Sequence, residues 1–341
     1  MRKRRARFEL GPAPYTAPGP HEIVVRTRAV AVNPVDAIAG PAYRVVVPWL
    51  RYPAIIGSDV AGEVVEAGAA VTRFAPGDRV LGHAMALEKS QNRAAEGAYQ
   101  HYVVVMEHMA SAIPESLSFE QAAVLPLTLS TAATGMFQRD HLGLEFPTAA
   151  PARQNAVVLV WGAATGVGMN ATQLAKNAGY DVVATASPRT AEKVRALGAD
   201  AVVDRTVPDV VEQLVRHIGD RALAGTMAIG RGSLAPCIDV AARTTGSRRV
   251  ASSQPDPASR LRGRLAARRA IDVSFIWGGT LKDNEVGPAV YRDFLPGALA
   301  SGAFRAEPRA RVVGEGLAAL PDALARVRAG GISAEKIVVT V

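Results

Sequence analysis

A glycine-rich turn is the part of this sequence with the clearest chemical pattern. It reads WGAATGVG over residues 161–168 and follows a short apolar run at 157–160. Gly162 would make the tight turn, Gly166 would let backbone amides approach a pyrophosphate, and Gly168 would let a helix pack close to the strand. The residues that would line a dinucleotide are Gly162, Ala164, Thr165, Gly166, Val167 and Gly168. We predict a dinucleotide-binding turn; the alternative is a glycine turn with a purely structural role.

The residues after the next apolar run, 181–186, bear on which dinucleotide would bind. They read TASPR over 185–189 and offer no carboxylate to the ribose hydroxyls. Ser187 could hydrogen-bond a 2′-phosphate, Arg189 could pair with it through two N–H groups, and Lys193 lies one helical turn further on. We therefore predict NADPH rather than NADH. The same residues also suit a helix start, with Ser187 as N-cap and Pro188 at the first helical position, and the two interpretations are compatible.

Metal and thiol chemistry have few candidate ligands in this chain. Cys237 is the only cysteine, which excludes an intrachain disulfide and any site built on two thiolates. The six histidines include no pair at metal-ligand spacing. We predict no metal site.

Two kinds of element must position these residues. Between residues 22 and 105, strand-like runs alternate with turns at Asn33-Pro34, Gly57, Gly68 and 76–78, which predicts an all-β module. From residue 155 onward, apolar runs alternate with amphipathic helices, the pattern of a doubly wound parallel sheet. The predicted strands are 23–28, 60–67, 79–81, 99–105, 157–160, 181–186, 201–204, 249–251, 273–277 and 336–341.

The predicted fold class is therefore α/β, in two domains. Residues 1–125 would form the β-rich module and residues 126–296 the dinucleotide-binding domain. The C-terminal segment, 297–341, should return to the first module, because its last strand-like run is unlikely to end unpaired.

Length and composition bound the class of protein. The chain has 341 residues, enough for two domains at roughly 150 residues each. With 49% hydrophobic and 21% charged residues, most of the chain should fold. No run of about 18 apolar residues lacks a breaker, and the basic start at 1–7 is not followed by an apolar core. We expect neither a membrane span nor a secretory signal, and hence a cytoplasmic protein.

The net charge of +8 does not by itself indicate a nucleic-acid partner. Of the 39 basic residues, 33 are arginines spread along the whole chain. Two local clusters, 2–7 and 260–269, have neither interleaved aromatic side chains nor a recognition-helix pattern. They are interpreted as solvated surface, although a basic surface could favour an anionic ligand. We predict no nucleic-acid partner.

Several motifs together resemble the medium-chain dehydrogenase/reductase superfamily, in particular its zinc-free, quinone-reductase-like members. They are AVNPVD at 31–36, GSDVAG at 57–62, PGDRV at 76–80, GAYQHY at 97–102, the stretch 125–132 and the glycine turn. The tail, GGTLKDNEVG at 278–287 through DFLP at 293–296, is similar to fungal-type trans-acting enoyl reductases and to relatives labelled zinc-binding dehydrogenases. The resemblance covers nearly the whole chain.

The resemblance implies a GroES-like β module and a Rossmann domain, with the nicotinamide in the cleft between them. Zinc-dependent members offer Cys, a His-Glu pair and a second Cys or Asp, whereas the matching stretches here read NPVD at 33–36 and GSD at 57–59. A zinc-free site is therefore expected. By the same resemblance, Asn33, Val35 and Asp36 line the nicotinamide side, and Thr131 contacts the cofactor or the substrate.

Further cofactor contacts follow from the same resemblance. Arg205 stands where relatives place an adenine-stacking tyrosine, and its guanidinium can also stack. The loops that close over the nicotinamide would contain Ser252, Phe275, Trp277 and Gly278.

Reduction of a conjugated double bond would need a proton as well as a hydride. The hydride adds to the β-carbon, and the resulting enolate needs stabilising donors and a proton at the α-carbon. Tyr43 falls close to the proton-donating tyrosine of mitochondrial-type enoyl reductases; packing of its ring on the module is the alternative. Ser130 and Thr131 could equally be backbone-bonded hydroxyls. Ile38 replaces a lysine that fungal trans-acting enoyl reductases often carry, so that cation cannot serve here.

The predicted function is zinc-independent, NADPH-dependent reduction of an activated C=C bond in an enoyl thioester or enone. The candidate catalytic residues are Tyr43, Thr131 and Asn33. NADPH:quinone oxidoreduction is the alternative among enzymes, and a NADPH-binding protein with little turnover is the alternative of another class. The substrate would be a small molecule, free or bound to CoA or a carrier, and the enzyme a monomer or homodimer.

Overall fold

The computed structural model describes residues 8–38 and 43–341. These residues divide into two compact units. The first contains the described residues up to Leu127 together with Ala306–Val341, and the second is Thr128–Arg305. The sequence placed the boundaries after residues 125 and 296. Residues 297–305 thus belong to the second unit, because helix α10, Leu295–Ser301, ends there.

The first unit is built on a seven-stranded, mainly antiparallel sheet within the described residues. The strands run in the order β12-β13-β1-β2-β3-β5, and β4 also pairs with β1. Their bounds are β1 Glu22–Ala31, β2 Asp59–Ala67, β3 Arg79–His83, β4 Tyr102–Met106, β5 Ala110–Ala112, β12 Arg309–Glu315 and β13 Glu335–Thr340. The C-terminal strand β13 lies between β1 and β12, so this segment is part of the first unit.

Short helices flank this sheet. They are α1 Tyr43–Val46, α2 Phe119–Ala122 and α11 Leu320–Ala329, and α3 Pro126–Phe137 begins at the end of the unit. Ser118 starts α2 with a capping box: its hydroxyl accepts the Gln121 N–H, and the Gln121 side chain accepts the Ser118 N–H. Alternate residues of β1 and β13, including Ile23, Val25 and Val339, pack into one apolar core beneath α11.

The second unit is a doubly wound parallel sheet. Its six strands in the described part of the chain run in the order β11-β10-β9-β6-β7-β8, and all neighbours are parallel. Their bounds are β6 Ala156–Trp161, β7 Asp181–Ala186, β8 Ala201–Asp204, β9 Ala222–Ala228, β10 Arg249–Ser252 and β11 Asp272–Phe275. The order reverses between β6 and β9, which creates the switch point where ligands bind in open α/β sheets.

Helices connect these strands. Their bounds are α4 Gly166–Asn177, α5 Pro188–Ala196, α6 Val210–Ile218, α7 Leu234–Arg243, α8 Pro257–Ala266, α9 Val286–Pro288 and α10. A π-helix follows α9 over Ala289–Phe294. Val157 and Leu159 of β6 are fully buried, as expected of a central strand covered on both faces. In the described residues, no helix is both long and apolar enough to cross a membrane.

The α/β fold class, a GroES-like module plus a parallel Rossmann sheet, is confirmed. Three strands were missed. β9 reads ALAGTMA and contains Gly225 at its centre, so small residues hide its apolar character. β5 has only three residues, and β12 is largely exposed, so neither carries a strong alternating pattern.

Candidate functional site

The glycine turn follows β6, the central strand of the parallel sheet. Gly162 has φ +80°, and a Cβ there would lie 2.5 Å from the Ile229 carbonyl oxygen. Only glycine fits this position, because the conformation and the space both exclude a side chain. The turn is tied to β7: the Gly162 N–H donates to Thr185 Oγ1 at 3.0 Å, and the Ala163 N–H donates to the Thr185 carbonyl at 3.0 Å.

Thr165 then starts α4. Its hydroxyl donates to the Gly162 carbonyl at 2.9 Å and accepts the Gly168 N–H at 3.0 Å, so a single side chain caps the helix and closes the turn. A Cβ on Gly168 would lie 2.3 Å from the Gly162 carbonyl oxygen. The first N–H groups of α4, which begins at Gly166, have no helical carbonyl to bond and carry partial positive charge. The turn is therefore a backbone cradle that suits an anionic group such as a pyrophosphate.

The other sequence-predicted cofactor residues of this unit lie at the same edge of the sheet. Because the strands are parallel, all their carboxyl ends meet there. Ser187 follows β7, Arg205 follows β8, Ser252 ends β10 and Phe275 ends β11. These four residues share one edge of the sheet although Ser187 and Phe275 are 88 positions apart in the sequence.

A loop at the same edge escaped prediction because β9 was missed. It begins at Ile229, and Gly230 and Gly232 have φ +90° and +80°. Ser233 Oγ donates to the Gly230 carbonyl at 2.7 Å, and the Gly230 N–H points to Ser253 Oγ at 3.4 Å. The two closely spaced glycines after an apolar run were the signal that could have revealed this turn.

The helix start predicted at Ser187 is present in the structure, whereas a contact of Ser187 with a 2′-phosphate stays a prediction. Ser187 stands at the N-cap position with Pro188 at N1, but its hydroxyl bonds Thr190 Oγ1 at 3.0 Å rather than a backbone N–H. Arg189 is exposed and makes no ion pair within the described residues. Lys193 lies on the following turn of α5. Arg189 and Lys193 thus bring positive charge to the start of α5, while Asp204 ends the neighbouring strand β8, and the Arg189 guanidinium is available to an anion.

Thr131 and Gly278 are brought together within the second unit. A Cβ on Gly278 would lie 2.5 Å from Thr131 Oγ1, so the loop after β11 passes directly over this hydroxyl. The loop is held by Thr280, whose hydroxyl donates to the Trp277 carbonyl at 3.0 Å and accepts from Gln138 Nε2 at 3.0 Å. Thr131 is half-buried and is therefore not a core hydroxyl.

Ser130, its neighbour, is a core hydroxyl. It is fully buried, and its Oγ lies 2.7 Å from the Tyr291 hydroxyl, which is also fully buried. Tyr291 belongs to the π-helix, a rare conformation that is frequent at functional sites. Ser130 thus lies in the core beside another side-chain hydroxyl, whereas Thr131, on α3, lies beneath the loop at Gly278, and its contact with cofactor or substrate stays a prediction.

In the first unit, Asn33 and Asp36 form the centre of a buried polar cluster. The Asn33 N–H and Nδ2 donate to Asp36 Oδ2 at 2.9 and 3.2 Å, and Nδ2 also donates to Asp59 Oδ2 at 2.7 Å. The Tyr99 hydroxyl donates to Asp36 Oδ2 at 3.1 Å. Lys336 Nζ lies 2.6 Å from Asp59 Oδ2 and donates to the Val124 carbonyl at 2.9 Å.

Two acidic side chains and one ammonium group thus lie together in the interior of the first unit. Asp36 and Asp59 are 0% exposed and Lys336 is 6% exposed. Burial, and to a lesser degree the nearby Asp59 charge, raises the pKa of Asp36 to about 7, against the hydrogen bonds from Asn33 and Tyr99. Asp36 Oδ1 and Asn33 Oδ1 are buried acceptors with no hydrogen-bond partner among the described residues.

Tyr43 is held in the core of the same unit. Its side chain is 1% exposed and packs with Val47, Leu50 and Ile56. The hydroxyl donates toward the carbonyls of Val35 and Asp36, at 3.1 and 3.0 Å, and burial raises its pKa further above the usual tyrosine value. The proton-donor role of Tyr43 stays a prediction, and this geometry matches the packing alternative.

The residues of the first unit do not fit a zinc site. In residues 8–38 and 43–341, no three His, Cys, Asp or Glu side chains cluster to hold a metal. The buried acids Asp36 and Asp59 are bridged by the Asn33 amide, and Asp59 pairs with Lys336. Cys237 is buried in the other unit, and desolvation raises the pKa of its thiol.

Residues 19–115 match the family model "Alcohol dehydrogenase GroES-like domain", and residues 166–284 match "Zinc-binding dehydrogenase". Among curated relatives, Dehydrogenase azaJ of Aspergillus niger is 44% identical and is aligned over 96% of this chain and 94% of its own length. Trans-enoyl reductase himH of Aspergillus japonicus is 35% identical over 98% of this chain and 94% of its own.

Solved structures share the whole fold. An alcohol dehydrogenase superfamily protein from Novosphingobium aromaticivorans aligns with a TM-score of 0.75 and 23% identity, over 98% of this chain and 96% of its own. At this identity the likeness shows the fold alone. The curated relatives, at 44% and 35% identity, show the family as well. From motifs, fold and relatives together, the chain belongs to the medium-chain dehydrogenase/reductase superfamily and is an oxidoreductase of that family.

Proposed function

We propose that this oxidoreductase is a zinc-independent, NADPH-dependent reductase of activated C=C bonds, such as those of enoyl thioesters or enones. The observation that carries the proposal is the carboxyl edge of the parallel sheet. There the Gly162–Gly168 turn offers backbone N–H groups, and Ser187 and Arg189 stand where a ribose-binding carboxylate would select NAD.

The residues that would hold NADPH have separable tasks. The first turn of α4 would bind the pyrophosphate through backbone N–H groups, and Arg189 would pair with the 2′-phosphate in a charge-assisted, two-point contact. Arg205 would stack on the adenine. When bound, NADPH supplies a hydride to the substrate.

The chain's own residues would then orient the substrate. Thr131, beneath the loop at Gly278, offers a hydroxyl that can donate to a substrate carbonyl and so polarise the double bond. Asn33 has its amide hydrogens bound to Asp36 and Asp59, which leaves Oδ1 as the atom it can offer. Ser252 is fully buried at the end of β10, and its hydroxyl accepts the Gln254 N–H at 3.2 Å, which fixes the loop predicted to line the nicotinamide.

The acceptor class is favoured by the relatives. Trans-enoyl reductase himH is named for enoyl reduction and aligns over nearly the whole chain, including the tail after Gly278. Quinone reduction, the second candidate, requires the same conjugated acceptor but no proton donation to carbon. The absence of a metal-ligand cluster in the described residues favours both over zinc-dependent alcohol oxidation.

The direct test is oxidation of NADPH, followed by nicotinamide absorbance, with an enoyl thioester, an enone and a benzoquinone as acceptors, and metal content assayed in parallel. Turnover of the enoyl thioester or enone by metal-free protein is expected. A response to the quinone alone would transfer the proposal to quinone reduction. Tight NADPH binding without oxidation by any acceptor would favour a binding protein instead.

Cofactor selection is tested by Arg189→Asp. This variant should weaken NADPH binding about tenfold or more and favour NADH, because a charge-assisted contact contributes roughly 1.5–3 kcal/mol. The control is Arg195→Asp on the same helix, where the exposed arginine pairs with Glu192. Unchanged selectivity in Arg189→Asp, measured as the ratio of kcat/KM for the two cofactors, would show that Arg189 does not contact the 2′-phosphate.

A further inference from the structure

Helix α8, Pro257–Ala266, presents an unusual surface in the second unit. Of its ten residues, only Ala266 is buried. Leu261 and Leu265 are 57% and 47% exposed, and their i,i+4 spacing places them side by side on one face. Apolar side chains on an amphipathic helix normally point to the core, so two adjacent exposed leucines require an explanation.

Arginines flank this leucine pair. Arg262 and Arg264 lie on α8, and Arg268 lies in the 3₁₀ turn that continues it. All three are exposed and make no ion pair or hydrogen bond within the described residues. By contrast, Arg269 pairs with Asp239 at 2.7 Å, and Arg260 stacks on Phe275. We call the surface formed by Leu261, Leu265, Arg262, Arg264 and Arg268 the α8 face.

The sequence of α8, PASRLRGRLA, contains no acidic residue. Of the nearby acids, Asp256 caps the helix through the Ser259 N–H at 3.1 Å, and Asp239 is paired with Arg269. Asp272 is exposed and lies beside Arg264, so one acid stands against the three arginines of the α8 face and its net charge stays positive. An exposed apolar centre with a net cationic rim is the pattern of an interaction surface.

A groove beside the helix adds depth to this surface. It has a volume of about 490 Å³ and lies between α8 and β11, where Gly263 leaves room above Val273. Arg260, Arg264, Asp272 and Phe275 also line it. The groove is large enough for an apolar side chain of a partner, with arginine at its rim.

We propose that the α8 face docks an acidic helical protein that carries the thioester substrate. Charge complementarity selects an acidic partner, and the two leucines require apolar side chains at its centre. The α8 face lacks the aromatic side chains that stack on nucleic-acid bases, and a membrane surface would need a wider apolar stripe than one leucine pair. The identity of what the partner carries rests on the proposed function, whereas the docking surface itself does not.

Binding is measured first, without turnover. A fluorescently labelled holo acyl carrier protein, an acidic helical protein, is titrated with the full-length enzyme. The test variant is R262E/R264E/R268E. The control variant, R153E/R216E/R326E, makes the same change of charge on exposed arginines of three other segments. R262E/R264E/R268E should bind the carrier protein at least tenfold more weakly than the unchanged enzyme, and the control variant should stay within twofold. Binding by the unchanged enzyme should weaken as salt is added.

The apolar centre is tested by L261S/L265S, which keeps every charge. Several-fold weaker binding of the carrier protein is expected, with unchanged folding judged by the thermal midpoint, because both leucines are already exposed. If the carrier protein binds R262E/R264E/R268E and L261S/L265S as tightly as it binds the unchanged enzyme, the proposal is overturned. Stronger α8-dependent binding of duplex DNA or of anionic lipid vesicles than of the carrier protein would also overturn it.

Turnover separates this surface from the proposed function. The same 2-enoyl group is offered on the carrier protein and on free pantetheine, and kcat/KM is measured for both. In R262E/R264E/R268E, kcat/KM should fall at least tenfold for the carrier-bound substrate and little for the pantetheine thioester. If neither thioester is reduced while binding depends on the α8 face, the proposed function fails and the docking surface stands. Equal losses on both substrates would overturn the docking surface.

Discussion

At the scale of single residues, the cluster around Asp59 brings charged side chains into the buried interior of the first unit. Asp59 Oδ2 contacts Lys336, while Asp59 Oδ1 accepts the Leu127 N–H at 2.6 Å at the start of α3. A carboxylate at a helix N-terminus satisfies a free N–H and interacts favourably with the helix dipole. Lys336 in turn supplies the counter-ion to this carboxylate, so one buried ion pair supports the helix that carries Thr131.

Lys336→Met should therefore destabilise the protein by about 3–5 kcal/mol, because it leaves Asp59 buried without its counter-ion. Chemical denaturation gives the free energy of unfolding. The control is Lys176→Met, which removes the exposed Lys176–Asp200 pair at 3.0 Å and should cost less than about 1 kcal/mol. Removing both buried charges in D59N/K336M should recover part of the loss. Similar losses for the two single variants would contradict the importance of burial at Lys336.

Asp36 makes stability depend on pH. Its folded pKa, about 7, lies above the ordinary value of 3.8, so the folded protein binds more protons than the unfolded chain between these values. The contribution of Asp36 to the free energy of unfolding is fully present below about pH 4 and is lost as the pH rises through 7. Between these values the free energy of unfolding falls by up to about 1.4 kcal/mol per pH unit. Burial lowers the pKa of His83 to about 4. His83 therefore makes the free energy of unfolding rise with pH between 4 and 6.5, opposite to the effect of Asp36.

The difference between the unchanged protein and Asp36→Asn isolates the carboxyl group, because His83 is common to both. The stability of the unchanged protein relative to D36N should fall from pH 4 to pH 8, as measured by denaturation at each pH. A pH-independent difference would show that Asp36 titrates at its ordinary value.

At the scale of elements, the cofactor turn depends on two glycines whose neighbours are backbone atoms. Gly168→Ala would place a Cβ 2.3 Å from the Gly162 carbonyl oxygen, and backbone cannot move aside as a flexible side chain can. We expect a loss of at least tenfold in NADPH affinity and a lower thermal midpoint. The control is Gly297→Ala in α10, where no atom lies within 4 Å of the added Cβ. That change should be neutral or stabilise by up to about 1 kcal/mol through helix propensity. Equal effects would contradict the close approach in the turn.

Elements with a local signal could be predicted from the sequence. The β6-turn-α4 unit was found because an apolar run, two essential glycines and a helical pattern adjoin one another. The strands predicted after it end before Ser187 and Arg205, as they do in the structure. The Asp59–Leu127 and Lys336–Val124 contacts could not be found, since they join residues 68 and 212 positions apart and depend on sheet register. Likewise β9 was lost because Gly225 and small residues weaken its pattern, although its pairing with β6 and β10 makes it central.

At the scale of the whole molecule, the chain leaves the first unit after Leu127 and returns to it at Ala306. The returning segment is structural, since β13 pairs antiparallel with β1 and parallel with β12, and Ile337, Val338 and Val339 are at most 2% exposed. The second unit, by contrast, is one continuous stretch with its own apolar core. The two units therefore differ in what they need from the rest of the chain.

Residues 128–305 expressed alone should fold and bind NADPH, although less tightly than the full chain, because the glycine turn, Arg189 and Arg205 all lie within them. Residues 1–127 alone should not fold, since β1 would expose the edge that β13 covers and Asp59 would lose Lys336. Adding residues 306–341 in trans should restore a cooperative unfolding transition, measured by circular dichroism. Cooperative folding of residues 1–127 without that segment would show that β13 and Lys336 are dispensable, and that the return of the chain has another purpose than completing this sheet.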